Sequence, residues 1–262
     1  MNARFLLAAS LVAFLWVTPA TAQLVPPGDA GVTMGHIHLV ARDVEAGRRF
    51  FAALGGTAVQ NGTLQLIQFP GVFVMLRQGE PTGATVGSVI NHFGFNVRDI
   101  KSSITRWKAA GLTIEPGNRP EQAWLTTPDG ARVEILEDTT IAEPIRMHHI
   151  HWNVAAVPEM QAWYAKHFGA VPGKRGNNAA GNLPGVNLTF GKVEAVNQAT
   201  RGRALDHIGF EIRNLPQFIA RLEAAGVKLD SPLRKAGNGT TSIAFLTDPW
   251  GTYIELTEGL AP

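Results

Sequence analysis

Apolar and polar positions along the chain follow one plan that is repeated four times. Each copy opens with a short run in which apolar residues alternate with others, the period of two that is typical of a β-strand. An amphipathic stretch with apolar positions three and four residues apart follows, as in a helix, and a glycine closes it. The copies are GHIHLVARDVEAGRRFFAALGG from Gly35, NHFGFNVRDIKSSITRWKAAGL from Asn91, HHIHWNVAAVPEMQAWYAKHFGA from His148 and DHIGFEIRNLPQFIARLEAAGV from Asp206.

Short β-like runs follow each predicted helix. They include LQLIQF, GVFVMLRQ, GARVEILED, GVNLTFGK, SIAFLTD and GTYIELTE, and the segments TTPDG and TDPWG carry the proline and glycine of tight turns. The pattern therefore predicts an α+β chain of four βαβββ modules. We expect two domains of two modules each, residues 33–139 and 147–259, joined by a linker at 140–146.

The first 22 residues have the layout of a secretory signal peptide. Arg4 precedes an apolar run from Phe5 to Val17, and the short residues TPATA follow. A retained membrane anchor is the alternative, but the apolar run is shorter than the ~20 residues that a spanning helix needs. The sequence predicts cleavage after Ala22, a periplasmic or secreted protein, and no stable membrane association once the signal peptide is removed.

Composition narrows the chemistry of any site. The chain has no cysteine, so a metal site must be built from histidine and carboxylate ligands. Without Arg4, 22 basic residues stand against 21 acidic ones, and no basic run occurs. This balance gives no reason to expect nucleic acid or a membrane surface as a partner.

Most of the histidines lie near the start of the first predicted strand of a copy. Seven of the eight lie there, although a single histidine in such a place is usually structural. Alignment of the copies puts His36, His92, His149 and His207 at one equivalent position. The last strands of the second and fourth copies carry Glu134 and Glu255, and the matching positions of the first and third carry Met75 and Thr189.

Two imidazoles and one carboxylate from three strands form a facial set that leaves positions open around a catalytic metal. Grouped by halves of the chain, the predicted ligand sets are His36, His92 and Glu134 in the first half and His149, His207 and Glu255 in the second. If the first module pairs with the fourth and the second with the third, the sets become His36, His207 and Glu255, and His92, His149 and Glu134.

Other residues on the same strand faces supply candidate catalytic and binding groups. His151 stands two residues after His149 and, with Tyr253, is a candidate for proton transfer. Thr189, Asn153 and Glu211 are predicted to bind substrate. The second half is therefore expected to carry the activity, because the matching positions of the first half are largely apolar and Arg132 there can pair with Glu134.

Two pairs of segments resemble the vicinal oxygen chelate superfamily, which includes glyoxalase I, extradiol dioxygenases and bleomycin-binding proteins. They are LDHIGFEI with LTDPWGTYIELTE, and INHFGFNV with TTPDGARVEIL. The resemblance implies glyoxalase-like domains in which curved mixed sheets of paired βαβββ modules close around a metal cavity. It also implies that the histidines and glutamates named above are ligands of a divalent metal, Fe(II), Mn(II) or Zn(II).

The sequence departs from individual members of that superfamily. Met75 and Thr189 stand where glyoxalase I has a further ligand, and Phe245 stands where extradiol dioxygenases have a tyrosine. Two functions follow as hypotheses. One is an exported metalloenzyme that acts on a small oxygen-rich substrate by isomerase, lyase or dioxygenase chemistry. The other is a small-molecule binding protein of the bleomycin-resistance type without catalysis. Either is expected to be a monomer or a homodimer.

Overall fold

The computed structural model describes residues 24–194 and 197–261. The predicted signal peptide, residues 1–22, lies outside the described residues. Among the described residues, no helix is long and apolar enough to cross a membrane.

Each of the four predicted modules has the order β-α-β-β-β. The first contains β1 (Val32–Ala41), α1 (Val44–Leu54), β2 (Thr57–Asn61), β3 (Leu64–Phe69) and β4 (Val72–Gln78). The second contains β5 (Ile90–Val97), α2 (Ile100–Ala109), β6 (Glu115–Pro116), β7 (Gln122–Thr126) and β8 (Arg132–Glu137). The third contains β9 (Ile145–Val154), α3 (Val157–Phe168), β10 (Val171–Arg175), β11 (Asn178–Leu183) and β12 (Val186–Lys192). The fourth contains β13 (Leu205–Ile212), α4 (Leu215–Ala224), β14 (Leu229–Lys235), β15 (Ser242–Thr247) and β16 (Tyr253–Glu258).

Polar side chains mark where the helices begin. The side chains of Asp43, Asp99 and Asn214 accept hydrogen bonds from the third backbone N–H group that follows each of them, at the starts of α1, α2 and α4. These caps satisfy donors that have no partner inside the helix. Helix α3 begins without a side-chain cap but has Pro158 in its first turn, where proline costs no hydrogen bond.

The modules pair first with fourth and second with third. One eight-stranded sheet has the order β14-β15-β16-β13-β1-β4-β3-β2, and the other has the order β10-β11-β12-β9-β5-β8-β7-β6. Both sheets are curved and mixed. They are mixed because the central pairs β1–β13 and β5–β9 are antiparallel, while the pairs β1–β4 and β5–β8 are parallel. Each sheet therefore draws strands from both halves of the chain, which is the alternative pairing of the sequence analysis.

The two sheets share one hydrophobic core, in which Trp107, Trp152, Tyr164 and several phenylalanines are fully buried. Two hydrogen bonds between side chains inside this core link the third module to the turn before β16. Trp152 Nε1 donates to Thr252 Oγ1 at 2.9 Å, and the Tyr164 hydroxyl donates to Asp248 Oδ2 at 2.8 Å. These contacts join strand β9, which carries His149 and His151, and helix α3 to that turn.

Candidate metal centres

The first site lies at the centre of the sheet formed by the first and fourth modules, and we define it by His36, His38, His207 and Glu255. Strand β1 supplies the first two residues, β13 supplies His207, and β16 supplies the glutamate. Glu255 Oε2 lies 3.0 Å from His36 Nε2 and 2.9 Å from His207 Nε2. All four side chains are largely buried.

The electrostatics of the first site favour a charged carboxylate between imidazoles. Burial alone would raise the pKa of Glu255, but the hydrogen bonds with His207 and His36 outweigh it and hold that pKa well below its usual range. Burial alone would lower the pKa of His207, but the carboxylates of Asp206 and Glu255 raise it. Burial lowers the pKa of His38 well below its usual value, and the neighbouring His207 and His36 lower it further.

Asp206 fixes the orientation of His207. Asp206 Oδ1 lies 2.6 Å from His207 Nδ1, and Oδ2 accepts a hydrogen bond from the backbone N–H of Gly202 at 2.7 Å. A carboxylate on Nδ1 leaves Nε2 as the nitrogen that faces Glu255 and raises the basicity of the ring. The pair is the outer support that metal-binding histidines ordinarily have.

A missing side chain on β13 makes room for the ring of His36. In the antiparallel pair β1–β13, His36 lies opposite Gly209 and His38 lies opposite His207. A Cβ atom placed on Gly209 would come within 2.0 Å of the His36 ring. Only glycine therefore allows the two strands to bring both histidines onto the same carboxylate.

The donor set of the first site fits a divalent first-row metal ion. Its four ligand atoms all lie within 4.8 Å of one another. Two ligand atoms that each lie ~2.1 Å from one ion, at a right angle, are ~3 Å apart, which matches both histidine–Glu255 separations. Among residues 24–194 and 197–261, neither ring nitrogen of His38 has a hydrogen-bond partner, although buried imidazoles ordinarily have one. His36, His207 and Glu255 are thus placed to hold an ion, with His38 beside them.

A cavity of about 520 Å³ opens onto the first site. Its size is within the range of pockets for small molecules. Phe245 and Tyr253 stack on one another with ring centroids 5.1 Å apart and form one wall next to His207. Met75, which lies opposite His38 on the neighbouring strand β4, also lines the cavity.

The second site occupies the same place in the other sheet, and we define it by His92, His149, His151 and Glu134. Glu134 Oε2 lies 2.9 Å from His149 Nε2 and 3.3 Å from His92 Nε2, without hydrogen-bond geometry at either nitrogen. The register repeats that of the first site, because His149 lies opposite Gly94 and His151 lies opposite His92. The three histidines could also hold a metal ion.

The carboxylate of the second site is already engaged by protein donors. Arg175 Nη2 lies 3.1 Å from Glu134 Oε2, and Gln122 Nε2 donates to Oε1. The guanidinium of Arg175 supplies positive charge at the oxygen that both histidines face. Arg132, the residue expected to pair with Glu134, instead lies over the ring of Trp124 at 3.9 Å. The second site thus offers a metal a less available carboxylate than the first.

Several side chains therefore differ in their grouping from the sequence-based sets. His149 does not join His207 and Glu255, and His92 does not join His36, because the modules pair across the two halves. His151 lies in the second site, where its ring is 4.6 Å from that of His92, and burial with His92 nearby lowers its pKa to about 3.

The remaining predicted residues are also divided between the sites. Tyr253 lines the first cavity. Thr189 pairs with His151 across β12 and β9 and donates to Asn187 Oδ1 at 2.6 Å, and Asn153 lies opposite Gly191 in the same pair of strands. Glu211 lies in the other sheet and accepts backbone hydrogen bonds from Gly259 and Leu260, so it anchors the C-terminal segment.

The sequence contains a signal for which first strands pair, and the sequence analysis above did not use it. The first and third modules read His-x-His, and the second and fourth read His-x-Gly, with the glycines at Gly94 and Gly209. A His-x-His strand fits against a His-x-Gly strand because each glycine leaves space for the opposite histidine ring. Arg175 gave no comparable signal, since it comes from a hairpin of a different module from Glu134.

Comparisons with known proteins agree with this fold. Residues 146–256 match the model of a family described as the Glyoxalase/Bleomycin resistance protein/Dioxygenase superfamily. A comparison with curated proteins found no match.

Solved structures share the whole architecture. Glyoxalase I from Zea mays has 16% sequence identity and a TM-score of 0.67, with 87% of this chain and 92% of that chain covered. A putative dioxygenase from Bacillus subtilis subsp. subtilis str. 168 has 14% identity and a TM-score of 0.62, with 86% of this chain and 85% of that chain covered. At these identities the similarity establishes the fold.

The fold and the two histidine–glutamate centres define a glyoxalase-like protein of paired βαβββ modules. Residues 146–256 match the sequence model of this family, and the glyoxalase-like fold extends over both halves of the chain. The fold class expected from the sequence is thereby confirmed, and the family resemblance is confirmed over residues 146–256.

Proposed function

We propose that the protein is a metal-dependent enzyme that acts on a small oxygen-rich substrate at the first site. The observation that carries the proposal is the combination of an accessible cavity with a carboxylate whose close side-chain contacts are the histidines His36 and His207. The ion, Fe(II), Mn(II) or Zn(II), would be held by those two histidines and Glu255. Once bound, it would supply Lewis-acid or oxygen-activating chemistry to adjacent substrate oxygens.

His38 is the best candidate for proton transfer in this site. It is the counterpart of His151, and its ring centroid lies 4.4 Å from that of His207. Its lowered pKa keeps the imidazole neutral at pH 7, which is the form that accepts a proton. Because neither of its nitrogens is hydrogen-bonded within the described part of the chain, one of them can accept a proton from a substrate hydroxyl or C–H group.

Tyr253 would act as a hydrogen-bond donor rather than a base. Burial raises the pKa of its phenol, against the opposing effect of Arg201, so the hydroxyl stays protonated near neutral pH. The ring forms the cavity wall with Phe245 and orients a substrate next to His207.

Export is part of the proposal and is supported by the sequence alone. The charged start, the apolar run and the short residues up to Ala22 favour a periplasmic or secreted protein. Substrates built on intracellular thiols or coenzymes would then be disfavoured. Small diols, hydroxyketones, catechols and sugars remain.

The alternative function is binding of a small molecule without catalysis. The aromatic wall and the cavity suit this role as well, since stacked rings bind planar ligands. The discriminating feature is the ligand set around Glu255, because a protein that only binds has no need of a metal-binding carboxylate.

A turnover screen tests the proposed function. Metal-loaded protein would be assayed against diols, α-hydroxyketones, catechols and keto-sugars, next to the variants His38→Gln and Glu255→Gln. We expect His38→Gln to keep the metal and to lower turnover by ~10²- to 10⁴-fold, the usual contribution of a positioned acid or base. Binding of these compounds without turnover, by protein that holds no metal, would instead establish the alternative.

A further inference from the structure

The cavity of the first site is lined by more arginine side chains than acidic ones. Three arginines line it, Arg77, Arg201 and Arg234, together with two acidic residues, Asp206 and Glu255. Both acids are engaged, since Asp206 holds His207 and Glu255 is bound by His36 and His207. Arg77 is itself paired with Asp206 at 3.6 Å.

Arg201 and Arg234 differ from Arg77 because neither has a carboxylate partner. Within residues 24–194 and 197–261, neither guanidinium lies within 4.0 Å of a carboxylate oxygen. Aromatic rings hold them instead. Arg201 Cζ lies 4.6 Å from the centroid of the Tyr253 ring, and Arg234 Cζ lies 6.0 Å from that of Phe245. Cation–π contacts orient a guanidinium without neutralising its charge.

The two rings connect these guanidiniums to the candidate metal centre. Phe245 and Tyr253 lie edge-on to His207, with ring centroids at 5.5 and 5.6 Å. One ring therefore separates each guanidinium from a metal-binding histidine, which is a distance that a small molecule spans. Planar guanidiniums bind carboxylate and phosphate oxygens in pairs, so they suit an anion and not a neutral polyol.

We propose that the substrate of the first site carries a carboxylate or a phosphate group that Arg201 and Arg234 bind at the Phe245–Tyr253 wall. This inference rests on the proposed function for the identity of the site, but the anion binding itself does not require turnover. It narrows the small oxygen-rich substrates of the proposed function to those that carry an acid or phosphate ester group, and it disfavours neutral diols and sugars.

Calorimetric titration tests the proposal with phenyl phosphate and benzoate as anionic probes and benzyl alcohol as the neutral one. The protein would be used both as purified and after removal of metal by a chelator, because phosphate can also bind an ion directly. The double variant Arg201→Gln/Arg234→Gln is compared with Arg48→Gln/Arg49→Gln, which removes the same charge from α1.

We expect the first double variant to bind the preferred anionic probe at least about tenfold more weakly, the loss of one charged hydrogen bond or more. Benzyl alcohol should bind it as it binds the wild type, and the α1 variant should bind all three probes normally. The probe that loses more affinity identifies the group as a carboxylate or a phosphate.

Equal affinities of the wild type and the first double variant, or no anion binding to the wild type at millimolar concentration, would overturn the proposal. Metal content measured on the same samples separates the two claims. Wild type that holds no metal either as purified or after reloading, and yet needs both arginines for anion binding, would contradict the proposed function and support this inference. If the protein holds the metal and the wild type and the Arg201→Gln/Arg234→Gln variant bind the anion equally well, this inference alone is contradicted.

Discussion

Gly209 decides whether His36 can reach Glu255. Substitution by alanine would place a Cβ atom 2.0 Å from the His36 ring, and His36 is fully buried. We expect Gly209→Ala to displace His36 and to abolish stoichiometric metal binding at the first site while the protein stays folded. The measurement is metal content by mass spectrometry, with far-UV circular dichroism to confirm the fold.

Gly94→Ala is the matched control for Gly209→Ala. Its Cβ atom would lie 2.2 Å from the His149 ring, so it disturbs the second site by the same mechanism. If Gly94→Ala removes the metal and Gly209→Ala does not, the ion belongs to the second site.

Asp206 marks a second difference between the two sites at the level of single residues. The second site has Asn91 in the equivalent place, where Oδ1 lies 2.9 Å from His92 Nδ1. An amide oxygen polarises an imidazole less than a carboxylate does. Asp206→Asn should therefore weaken metal binding by ~10- to 100-fold without loss of the fold, as is usual for such supports. Unchanged affinity in a competition titration with a chelator would show that Asp206 only neutralises Arg77.

The turn between β15 and β16 links the two sheets and can be tested at the level of elements. Asp248, a buried residue of this turn, accepts hydrogen bonds from the Tyr164 hydroxyl and from the backbone N–H groups of Trp250 and Thr252. Tyr164→Phe leaves that carboxylate one donor short, which should lower the free energy of unfolding by about 1–3 kcal/mol at pH 7. Denaturant unfolding measures this difference. Tyr253→Phe is the control, because it removes the same hydroxyl group from a tyrosine on the cavity wall.

The cost of Tyr164→Phe should depend on pH. Burial raises the pKa of Asp248, against the opposing hydrogen bonds, so its contribution to stability is full below the unfolded value of ~3.9 and is lost as pH rises through the folded pKa. Loss of the tyrosine hydrogen bond, which stabilises the charged form, raises that pKa further. The destabilisation should accordingly be larger at pH 7 than at pH 4, and a larger cost at pH 4 would contradict this account.

At the level of the whole molecule, the sequence predicts the modules better than their pairing. Each βαβββ unit is encoded locally, by alternation in strands such as β13 and by the apolar spacing and capping residue of its helix. The candidate ligands could also be named from the sequence, because His36, His207 and Glu255 stand at repeated positions. Pairing was not, since the complementarity of His-x-His with His-x-Gly allows the first module to join either the second or the fourth.

The grouping of the ligands across the two halves is the central structural claim about function. His36 comes from the first half, and His207 and Glu255 come from the second, so neither half contains the first site. In the second site, the salt bridge from Arg175 neutralises the charge of the Glu134 carboxylate. The expectation that one half of the chain carries the activity is therefore replaced by the expectation that one sheet does.

The most direct test is the metal content of four variants purified without chelator and reloaded with one ion: His36→Ala, Glu255→Gln, His149→Ala and Glu134→Gln. Loss of the metal from His36→Ala and Glu255→Gln, together with retention of one ion per chain by His149→Ala and Glu134→Gln, is the result that the first site predicts. If His149→Ala and Glu255→Gln lose the metal and His36→Ala retains it, the pairing of the modules is contradicted. If Glu134→Gln loses the metal and Glu255→Gln retains it, the ion is bound at the second site.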